Sequence, residues 1–310
     1  MRVLVTGASG FIGTEVVKNL KLQNFEVRTV NRRTFKSEAD SSYTIDDLGP
    51  DTYWRDVLKG CDVIIHLAAR VHVMNDSAVD PLAEFRKVNV AGTVKLAMQA
   101  AKAGAKRFVY VSSVKVNGEQ AALPYTELDE SDPQDPYGVS KWEAEQALHK
   151  ISATTGLEVV IVRPPLVYGA GVKGNLAQMI KVLAKGVPLP FASVQNLRSL
   201  IYIENLVDSL ILCATHPNAA GQTYLVSDGE DVSTSDLLRK LAEAMGQPAR
   251  LFSCPPALLK LAGWLIGRPD QIDRLLSSLQ VNSSKIRREL DWQPPFTLQE
   301  GLKKTVQGLS

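Results

Sequence analysis

Residues 2–20 read RVLVTGASGFIGTEVVKNL, a short apolar strand that passes through a glycine turn into a helix. The turn holds Gly7, Gly10 and Gly13. Glycines at this spacing permit a tight turn and let backbone N–H groups approach a pyrophosphate at the positive end of the helix. A glycine turn alone is weak evidence, because turns need glycine for conformational reasons. At the junction of a strand and a helix, it predicts a dinucleotide-binding site.

Short apolar strands alternate with helical patterns through the first half of the chain. This alternation predicts right-handed βαβ units and an α/β fold with a Rossmann-like, doubly wound parallel sheet. We place a dinucleotide-binding domain with the catalytic residues at 1–165. A smaller, partly helical region at 166–310 is expected to bind mainly substrate. The predicted strands are RVLVTG, FEVRTV, DVIIHLAA, KRFVYVSS and LEVVIVRP, and the predicted helices are 81–103, 174–185, 234–245 and 296–308.

The composition is that of a globular protein, with 45% hydrophobic and 22% charged residues. The 35 basic and 33 acidic residues are mixed along the chain, which argues against nucleic acid as a partner. Cys61, Cys213 and Cys254 are odd in number and widely separated, so neither a disulfide framework nor a metal site is expected. The N-terminus lacks the pattern of a secretory leader, and we predict a cytoplasmic protein.

The most apolar later stretch is ALLKLAGWLIG at 257–267. It contains Lys260 and is far shorter than the roughly 20 residues that a membrane span needs. We therefore predict no integral membrane segment and expect this helix to pack in the core or at an interface. The alternative is that the helix near Trp264 contacts a membrane surface, beside a lipid-linked substrate.

Residues 25–33, FEVRTVNRR, predict a second strand that ends in two arginines. A dinucleotide fold places a side chain beside the adenosine ribose roughly 20 residues beyond the first glycines. A carboxylate there suits the 2′-OH of NAD, whereas an arginine suits the 2′-phosphate of NADP. Asn31, Arg32 and Arg33 hold this place, so NADP(H) is favoured, with NAD(H) as the alternative. Paired arginines at a strand end are also common on solvated surfaces.

The segment PYGVSK at 136–141 places Tyr137 and Lys141 on one face of a helix, one turn apart. A cation near a phenol favours the phenolate, so we expect Lys141 to lower the pKa of Tyr137 toward neutral pH. Such a phenol suits proton exchange with a hydroxyl or carbonyl group. The strand RFVYVSS ends in Ser112 and Ser113, upstream of this helix.

The glycine spacing, Ser113 and the Tyr137–Lys141 pair together resemble the extended short-chain dehydrogenase/reductases, of the NAD-dependent epimerase/dehydratase type. The resemblance implies that Tyr137 transfers a proton and that Ser113 orients the substrate oxygen. It also implies that Lys141 binds the nicotinamide ribose.

Further segments extend the resemblance along the chain. It implies that Asn89 in KVNVAGTVKL braces the active-site helix, that HLAAR at 66–70 lines the cofactor, and that RPPLVYG at 163–169 lies beside the nicotinamide. Asp47 in TIDDLG is an adenine neighbour by the same resemblance. The implied cofactor contacts are Gly7, Gly10, Phe11, Ile12, Gly13, Asn31, Arg32, Asp47, Leu67, Ala68, Ala69, Asn89, Lys141 and Pro164.

The C-terminal half resembles the nucleotide-sugar part of UDP-galactose 4-epimerase-like proteins. Asn175 and Leu176 in GNLAQMI correspond to the pair that contacts uridine, and Arg198 to the arginine that holds the diphosphate. Lys115 and Asn117 stand where these epimerases more often carry a small residue and a tyrosine, so the sugar is left open. The implied substrate contacts are Ser113, Lys115, Asn175, Leu176 and Arg198.

The resemblance implies an NAD(P)-dependent oxidoreductase that acts at C4 of a UDP-linked hexose, and a homodimer is compatible with it. Because Arg32 and Arg33 favour NADPH, the leading hypothesis is reduction of a UDP-4-keto-6-deoxy-hexosamine for surface-polysaccharide synthesis. A UDP-sugar 4-epimerase for glucose and galactose or their N-acetyl forms is the first alternative. A non-catalytic NADP-sensing regulator is the second, and the presence of Ser113, Tyr137 and Lys141 argues against it.

Overall fold

A computed structural model describes residues 1–71, 79–265, 267 and 269–308. Within these ranges, seven parallel strands form one sheet in the order β3-β2-β1-β4-β5-β6-β9. The chain winds outward from β1 in both directions, which confirms the predicted Rossmann-like fold. The strands are β1 Arg2–Thr6, β2 Glu26–Asn31, β3 Ser41–Thr44, β4 Val63–His66, β5 Arg107–Val111, β6 Glu158–Arg163, β7 Leu166–Tyr168, β8 Leu200–Tyr202 and β9 Thr223–Leu225, and β7 pairs with β8 in a separate small sheet.

Helices cover both faces of the large sheet. A π-helical segment, Arg86–Gly92, joins two of them, and 3₁₀ turns lie at Val114–Val116 and Pro217–Ala219. The α-helices are α1 Phe11–Leu22, α2 Arg55–Leu58, α3 Pro81–Phe85, α4 Thr93–Lys102, α5 Pro136–Thr155, α6 Asn175–Ala184, α7 Ile203–Thr215, α8 Thr234–Ala244, α9 Pro256–Leu265, α10 Pro269–Leu276, α11 Ser284–Leu290 and α12 Leu298–Gln307.

The strands are buried on both sides, because successive side chains point to opposite faces of the sheet. Val3 and Val5 of β1 pack in the core under α1 and α7, while Leu4 packs in the core under α4 and α5. This double burial explains why β1, β4, β5 and β6 are almost continuously apolar. Because all seven strands are parallel, their carboxyl ends and the loops that follow them lie along one edge of the sheet.

The five predicted strands correspond to β1, β2, β4, β5 and β6, and three of the predicted helices correspond to α6, α8 and α12. The segment 81–103 is helical but is divided by the π-helical segment. The edge strands β3 and β9 were not predicted, because they are short and carry polar or aromatic residues. Since β9 pairs with β6, residues beyond 165 also build the sheet. The domain division at residue 165 stays a prediction.

Helix α9 corresponds to the apolar stretch that we expected to pack in the core or at an interface. In the structure, only Leu259 and Gly263 of this helix are buried. Core packing is therefore the wrong explanation for most of its apolar surface. Among the residues described, no helix is both long enough and apolar enough to cross a membrane.

Candidate active site

The glycine turn lies at the carboxyl end of β1, tightly against the end of β4. Gly7 has a φ of +71°, and a Cβ atom on it would lie 2.8 Å from the backbone nitrogen of Ala68. A Cβ atom on Gly13 would lie 2.2 Å from the carbonyl oxygen of Gly7. Larger residues would therefore displace the turn, so glycine is required by packing as well as by conformation.

Helix α1 begins at this turn, and the N–H groups of its first turn are available to bind a ligand. Gly10 is its N-cap residue; within the described chain no side chain caps the helix start, and the first turn has no acidic residue. The N–H groups at a helix start are partly positive and favour an anion. The turn and helix start thus fit the pyrophosphate of a dinucleotide, with Phe11, Ile12 and Gly13 as the first helical residues.

Residues at the end of β2 have different environments. Asn31 is buried, and its Oδ1 accepts a hydrogen bond of 3.0 Å from the backbone N–H of Ser9, which fastens β2 to the glycine turn. Arg32 and Arg33 are exposed, and within the described residues neither forms an ion pair. Asp47, on the loop after β3, is also largely exposed, with its carboxylate 4.0 Å from the Lys87 ammonium.

The segment after β4 is supported by a buried histidine that sequence reasoning missed. Residues 67–69 are partly buried, and the N–H of Ala68 donates to Thr6 Oγ1 at 3.3 Å. His66 Nδ1 lies 2.7 Å from the same hydroxyl, and Nε2 lies 3.0 Å from Thr93 Oγ1. Burial lowers the pKa of His66 to about 3, so the ring is neutral and acts as a polar support for the strand end.

Helix α5 carries the predicted pair. Asp135 caps its N-terminus by accepting a hydrogen bond of 2.6 Å from the N–H of Gly138, and proline occupies the first helical position. Tyr137 and Lys141 then share the face that looks toward the end of β5. The buried Lys141 ammonium donates to the carbonyl oxygen of Val111 at 2.8 Å and lies 5.8 Å from the centre of the Tyr137 ring.

Ser113 lies two residues beyond the end of β5 and completes the arrangement. Its hydroxyl is near enough to that of Tyr137 to lower the pKa of the phenol, and its Oγ accepts a hydrogen bond from the N–H of Lys115 at 3.2 Å. The ring of Phe85 meets the Tyr137 ring edge-on, 6.2 Å between centres. The structure thus brings Ser113, Tyr137 and Lys141 together beside the glycine turn.

The expected effect of Lys141 on Tyr137 is not found. Burial, and next the Asp135 carboxylate, raise the pKa of Tyr137, while the nearby Ser113 hydroxyl lowers it. Burial also lowers the pKa of Lys141 from 10.5 to about 7, an effect that the nearby Glu145 opposes. The prediction that Lys141 lowers the pKa of Tyr137 is therefore wrong, because the buried ammonium is itself disfavoured.

Lys141 should therefore make stability depend on pH. Between about 7 and 10.5 the unfolded chain holds a proton on Lys141 that the folded protein has released, so stability increases as pH increases across this window. Relative to Lys141→Met, we expect the free energy of unfolding of the cofactor-free protein to increase by about 2–4 kcal/mol across it. Urea unfolding of both proteins at several pH values measures this. Equal pH dependence in the two proteins would contradict it.

Lys115 lies between Ser113 and the start of α5, but its charge is already paired. Its ammonium contacts the carboxylate of Asp135 and is 2.7 Å from that of Glu119. Lys115 therefore partly offsets the Asp135 charge that acts on Tyr137. Glu119 and Asp135 were not predicted as members of the site; the Asp-Pro start of α5 is a capping signal that could have found Asp135.

Asn89 connects α5 to the segment after β4. It is buried in the π-helical segment, and its amide donates to Ser140 Oγ at 2.9 Å and to the carbonyl oxygen of Arg70 at 3.0 Å. Its Oδ1 accepts from the N–H of Arg70 at 2.7 Å. A π-helical segment is often found at a functional site. Here it carries Asn89, which hydrogen-bonds both to α5 and to the segment after β4.

A buried ion pair that sequence reasoning also missed connects α5, which carries Tyr137 and Lys141, to the end of β6. Glu145 of α5 pairs with Arg163 at the end of β6 through two hydrogen bonds, 2.5 and 3.0 Å. Arg163 also donates to Asn117 Oδ1 at 3.1 Å, which fixes the loop after Ser113. The next residue, Pro164, accepts from the N–H of Val114 at 3.0 Å. These contacts hold α5, β6 and the loop after Ser113 together.

The predicted substrate residues lie on separate elements. Asn175 is exposed at the start of α6, whereas the Leu176 side chain is buried in the core, so only its backbone is available to a base. Arg198 Nη1 donates to the carbonyl oxygens of Arg274 and Ser277, at 2.7 and 3.1 Å. Within the described residues, Nη2 and Nε make no hydrogen bond to protein. Burial, and next the charge of Arg274, lower the pKa of Arg198, while the charge of Glu119 raises it.

Comparison with known proteins gives a family match. The model of the NAD dependent epimerase/dehydratase family matches residues 3–227, which include the glycine turn, Ser113, Tyr137 and Lys141. The structure is similar to that of MoeE5 in complex with UDP-glucuronic acid and NAD, with a TM-score of 0.79 and 26% identity. That alignment covers 100% of this chain and 99% of MoeE5.

Two curated relatives align over almost the full chain. A UDP-glucose 4-epimerase of Vibrio cholerae is 45% identical, over 98% of this chain and 94% of the relative. An N-acetyl-alpha-D-glucosaminyl-diphospho-ditrans,octacis-undecaprenol 4-epimerase of Escherichia coli O157:H7 is 26% identical, over 98% of this chain and 94% of the relative.

Proposed function

Because the chain belongs to the NAD-dependent epimerase/dehydratase family, we propose that it is a 4-epimerase of a UDP-linked hexose. The observation that carries this proposal is the 45% identity with a UDP-glucose 4-epimerase over nearly the whole of both chains. The convergence of Ser113, Tyr137 and Lys141 beside a turn that fits a pyrophosphate supports it.

The proposed chemistry exchanges one proton and one hydride at C4 of the sugar. Tyr137 takes the proton of the 4-hydroxyl group and later returns it to the 4-keto oxygen, while Ser113 donates a hydrogen bond to that oxygen. The cofactor, when bound in its oxidised form, would accept the hydride from C4 and return it to the opposite face of the 4-keto sugar, and it would add a positive charge near the phenol. A positive charge near a phenol favours the phenolate, which would offset the raised pKa of Tyr137.

The 4-keto reductase, our leading hypothesis from the sequence, has less support than the epimerase. It depended on the NADPH preference inferred from Arg32 and Arg33, and the two curated relatives favour epimerisation. The regulator hypothesis is set aside, because the chain belongs to an enzyme family and has the complete catalytic trio.

The experiment that tests the proposed function uses the purified protein with no added cofactor. We expect NAD to be released on denaturation, and we expect UDP-glucose and UDP-galactose, or their N-acetyl forms, to interconvert. Conversion of a UDP-4-keto sugar only when NADPH is supplied would contradict the proposal and restore the reductase.

For the cofactor, we propose NAD and treat the NADP preference as a separate question. Arg32 and Arg33 are exposed at the end of β2, where a 2′-phosphate would lie in this fold. If they bind it, replacing both with alanine should weaken NADPH binding by about 1.5–3 kcal/mol for each charge-assisted hydrogen bond removed and leave NADH binding nearly unchanged. Calorimetry with both nucleotides measures this. Equal weakening for the two nucleotides would remove these arginines from the recognition of the 2′-phosphate.

For the substrate, we propose that Arg198 holds the diphosphate, because Nη2 and Nε remain available for a phosphate oxygen. Arg198→Ala should weaken UDP binding by about ten-fold or more, since the variant cannot form the charge-assisted hydrogen bond. NAD binding should be unchanged. The matched control is Arg239→Ala, which removes an exposed arginine that pairs with Asp236. Unchanged UDP affinity in the folded Arg198→Ala variant would exclude this arginine.

The sugar and its carrier have a second candidate. The relative from Escherichia coli O157:H7 is named for a sugar joined through a diphosphate to undecaprenol, so a lipid-linked sugar diphosphate is the alternative substrate. A diphosphate is common to both carriers, and the role proposed for Arg198 is the same in each. The homodimer and the cytoplasmic location stay predictions.

A further inference from the structure

Lys115 connects the two elements that carry Ser113 and Tyr137. Its backbone N–H donates to Ser113 Oγ at 3.2 Å, in the loop after β5. Its carbonyl oxygen faces the start of α5, where a Cβ atom on Gly138 would lie 2.9 Å from it. Its ammonium contacts one oxygen of the Asp135 carboxylate, and the other oxygen caps α5 by accepting from the N–H of Gly138 at 2.6 Å. Lys115 thus joins the loop that carries Ser113 to the first turn of α5 through both its backbone and its side chain.

The charges around Lys115 do not balance. Its ammonium contacts Asp135 and lies 2.7 Å from the Glu119 carboxylate, so two carboxylates share one positive charge. Between 21% and 32% of each of the three side chains is exposed, so water screens them less than it screens charges on an open surface. After burial, the Asp135 charge is the next cause that raises the pKa of Tyr137. Without the ammonium, the carboxylate that acts on the phenol would be uncompensated.

Tyr137 also has titratable and charged neighbours outside this cluster. On α5 the Lys141 ammonium lies 5.8 Å from the centre of its ring, and on α3 the Phe85 ring meets it edge-on. The neighbours on the elements packed around it include Lys141 and Glu145 on α5, Tyr110 on β5, His66 on β4, and Arg70, whose guanidinium lies over the Phe85 ring. A substitution of Lys115 removes none of these groups, so its effect on the phenol can be separated from theirs.

We propose that Lys115 is a positioning residue for the 4-epimerase reaction, because it holds the loop that carries Ser113 against the start of α5 and balances the Asp135 carboxylate beside Tyr137. This inference rests on the proposed function. Lys115 acts through Ser113 and Asp135, and it transfers no proton itself. Loss of its charge should make the Tyr137 phenolate harder to form, so turnover should then require more alkaline solution.

The test compares the pH dependence of kcat for epimerisation in the wild-type protein and in a set of variants. Lys115→Met removes the charge, and Lys115→Arg keeps it. Asp135→Asn removes the carboxylate charge but keeps an oxygen that can cap α5, and it is combined with Lys115→Met. The control is Lys21→Met, which breaks a pair of similar exposure, Lys21 with Asp40 at 2.6 Å, at the end of α1 away from the glycine turn.

We expect Lys115→Met to move the acid limb of the profile, the decline in kcat as pH falls, to higher pH by about one unit. On that limb, this shift is about a ten-fold loss of turnover at a fixed pH. Lys115→Arg, and Lys115→Met combined with Asp135→Asn, should return the limb close to its wild-type position. Lys21→Met should leave it in place. Calorimetry should give unchanged NAD binding for every variant, which shows that each is folded.

An acid limb that Lys115→Met does not move would overturn the proposal. Slower turnover on an unmoved limb, without recovery in the double variant, is the result expected if the ion pair is merely structural. A higher KM on an unmoved limb would instead assign Lys115 to substrate binding.

A wild-type protein that does not epimerise UDP-sugars would contradict the proposed function, and a second measurement then decides the role of Lys115. The ultraviolet absorbance of the Tyr137 phenolate is followed against pH in the NAD-bound protein, as the difference from the same protein with Tyr137→Phe. We expect this signal to move to higher pH in Lys115→Met and to stay in place in Lys21→Met. An equal signal in Lys115→Met and wild type would overturn the role of Lys115.

Discussion

Tyr137→Phe is expected to reduce turnover by about 10²- to 10⁴-fold, which is the usual contribution of a positioned acid–base group. The substitution removes only the hydroxyl group near Ser113 and keeps the ring that contacts Phe85. The fold and the glycine turn should therefore be unaffected. Steady-state rates with the interconverted UDP-sugars, together with NAD binding by calorimetry, separate chemistry from cofactor binding.

The matched control is Tyr53→Phe, because Tyr53 is exposed at the surface and belongs to no part of the site. We expect this control to have wild-type rates. A Tyr137→Phe variant that also has wild-type rates would show that another group transfers the proton.

Glu145→Ala is expected to have the largest effect on stability. It leaves the Arg163 guanidinium buried with its charge unpaired, and breaking one side of a buried ion pair typically costs about 3–5 kcal/mol. The loop after Ser113 should also loosen, because Arg163 holds Asn117. Urea unfolding of the wild-type and variant proteins measures the decrease in stability.

Glu143→Ala is the control for this experiment. Glu143 lies two residues earlier on α5 and pairs with Arg86 at the surface, where water solvates both charges. We expect little change in the unfolding free energy for this variant. Equal destabilisation of the two variants would mean that the Glu145–Arg163 pair contributes no more than a surface pair.

Motifs with short spacing allowed much of the fold, the glycine turn and the shared helix face of Tyr137 and Lys141 to be predicted from the sequence. The glycine turn follows β1 directly, and the Tyr137–Lys141 spacing is set by one turn of α5. Ser113 was assigned to the site by the resemblance to the extended short-chain dehydrogenase/reductases. The glycine turn and the Tyr137–Lys141 spacing needed only local geometry.

Other features depend on contacts between distant parts of the chain. The partner of Glu145 is Arg163 on another element, and nothing in the sequence selects that arginine. Burial decides the pKa values of Tyr137 and Lys141, so their shifts could not be read from the spacing. The apolar composition of α9 likewise did not reveal whether protein covers it. A pattern of residue types defines what can be buried, while the packing of neighbours defines what is buried.

The most direct test of the central claim follows the hydrogen at C4. UDP-glucose deuterated at C4 is incubated with the purified protein without added cofactor, and UDP-galactose is analysed by mass spectrometry and proton magnetic resonance. If the substrate is an N-acetyl sugar, the deuterated N-acetyl form is used. The 4-epimerase that we propose returns the same hydride, so the epimer should form and keep deuterium at C4. No epimer without added cofactor, or an epimer that has lost deuterium from C4, would contradict it.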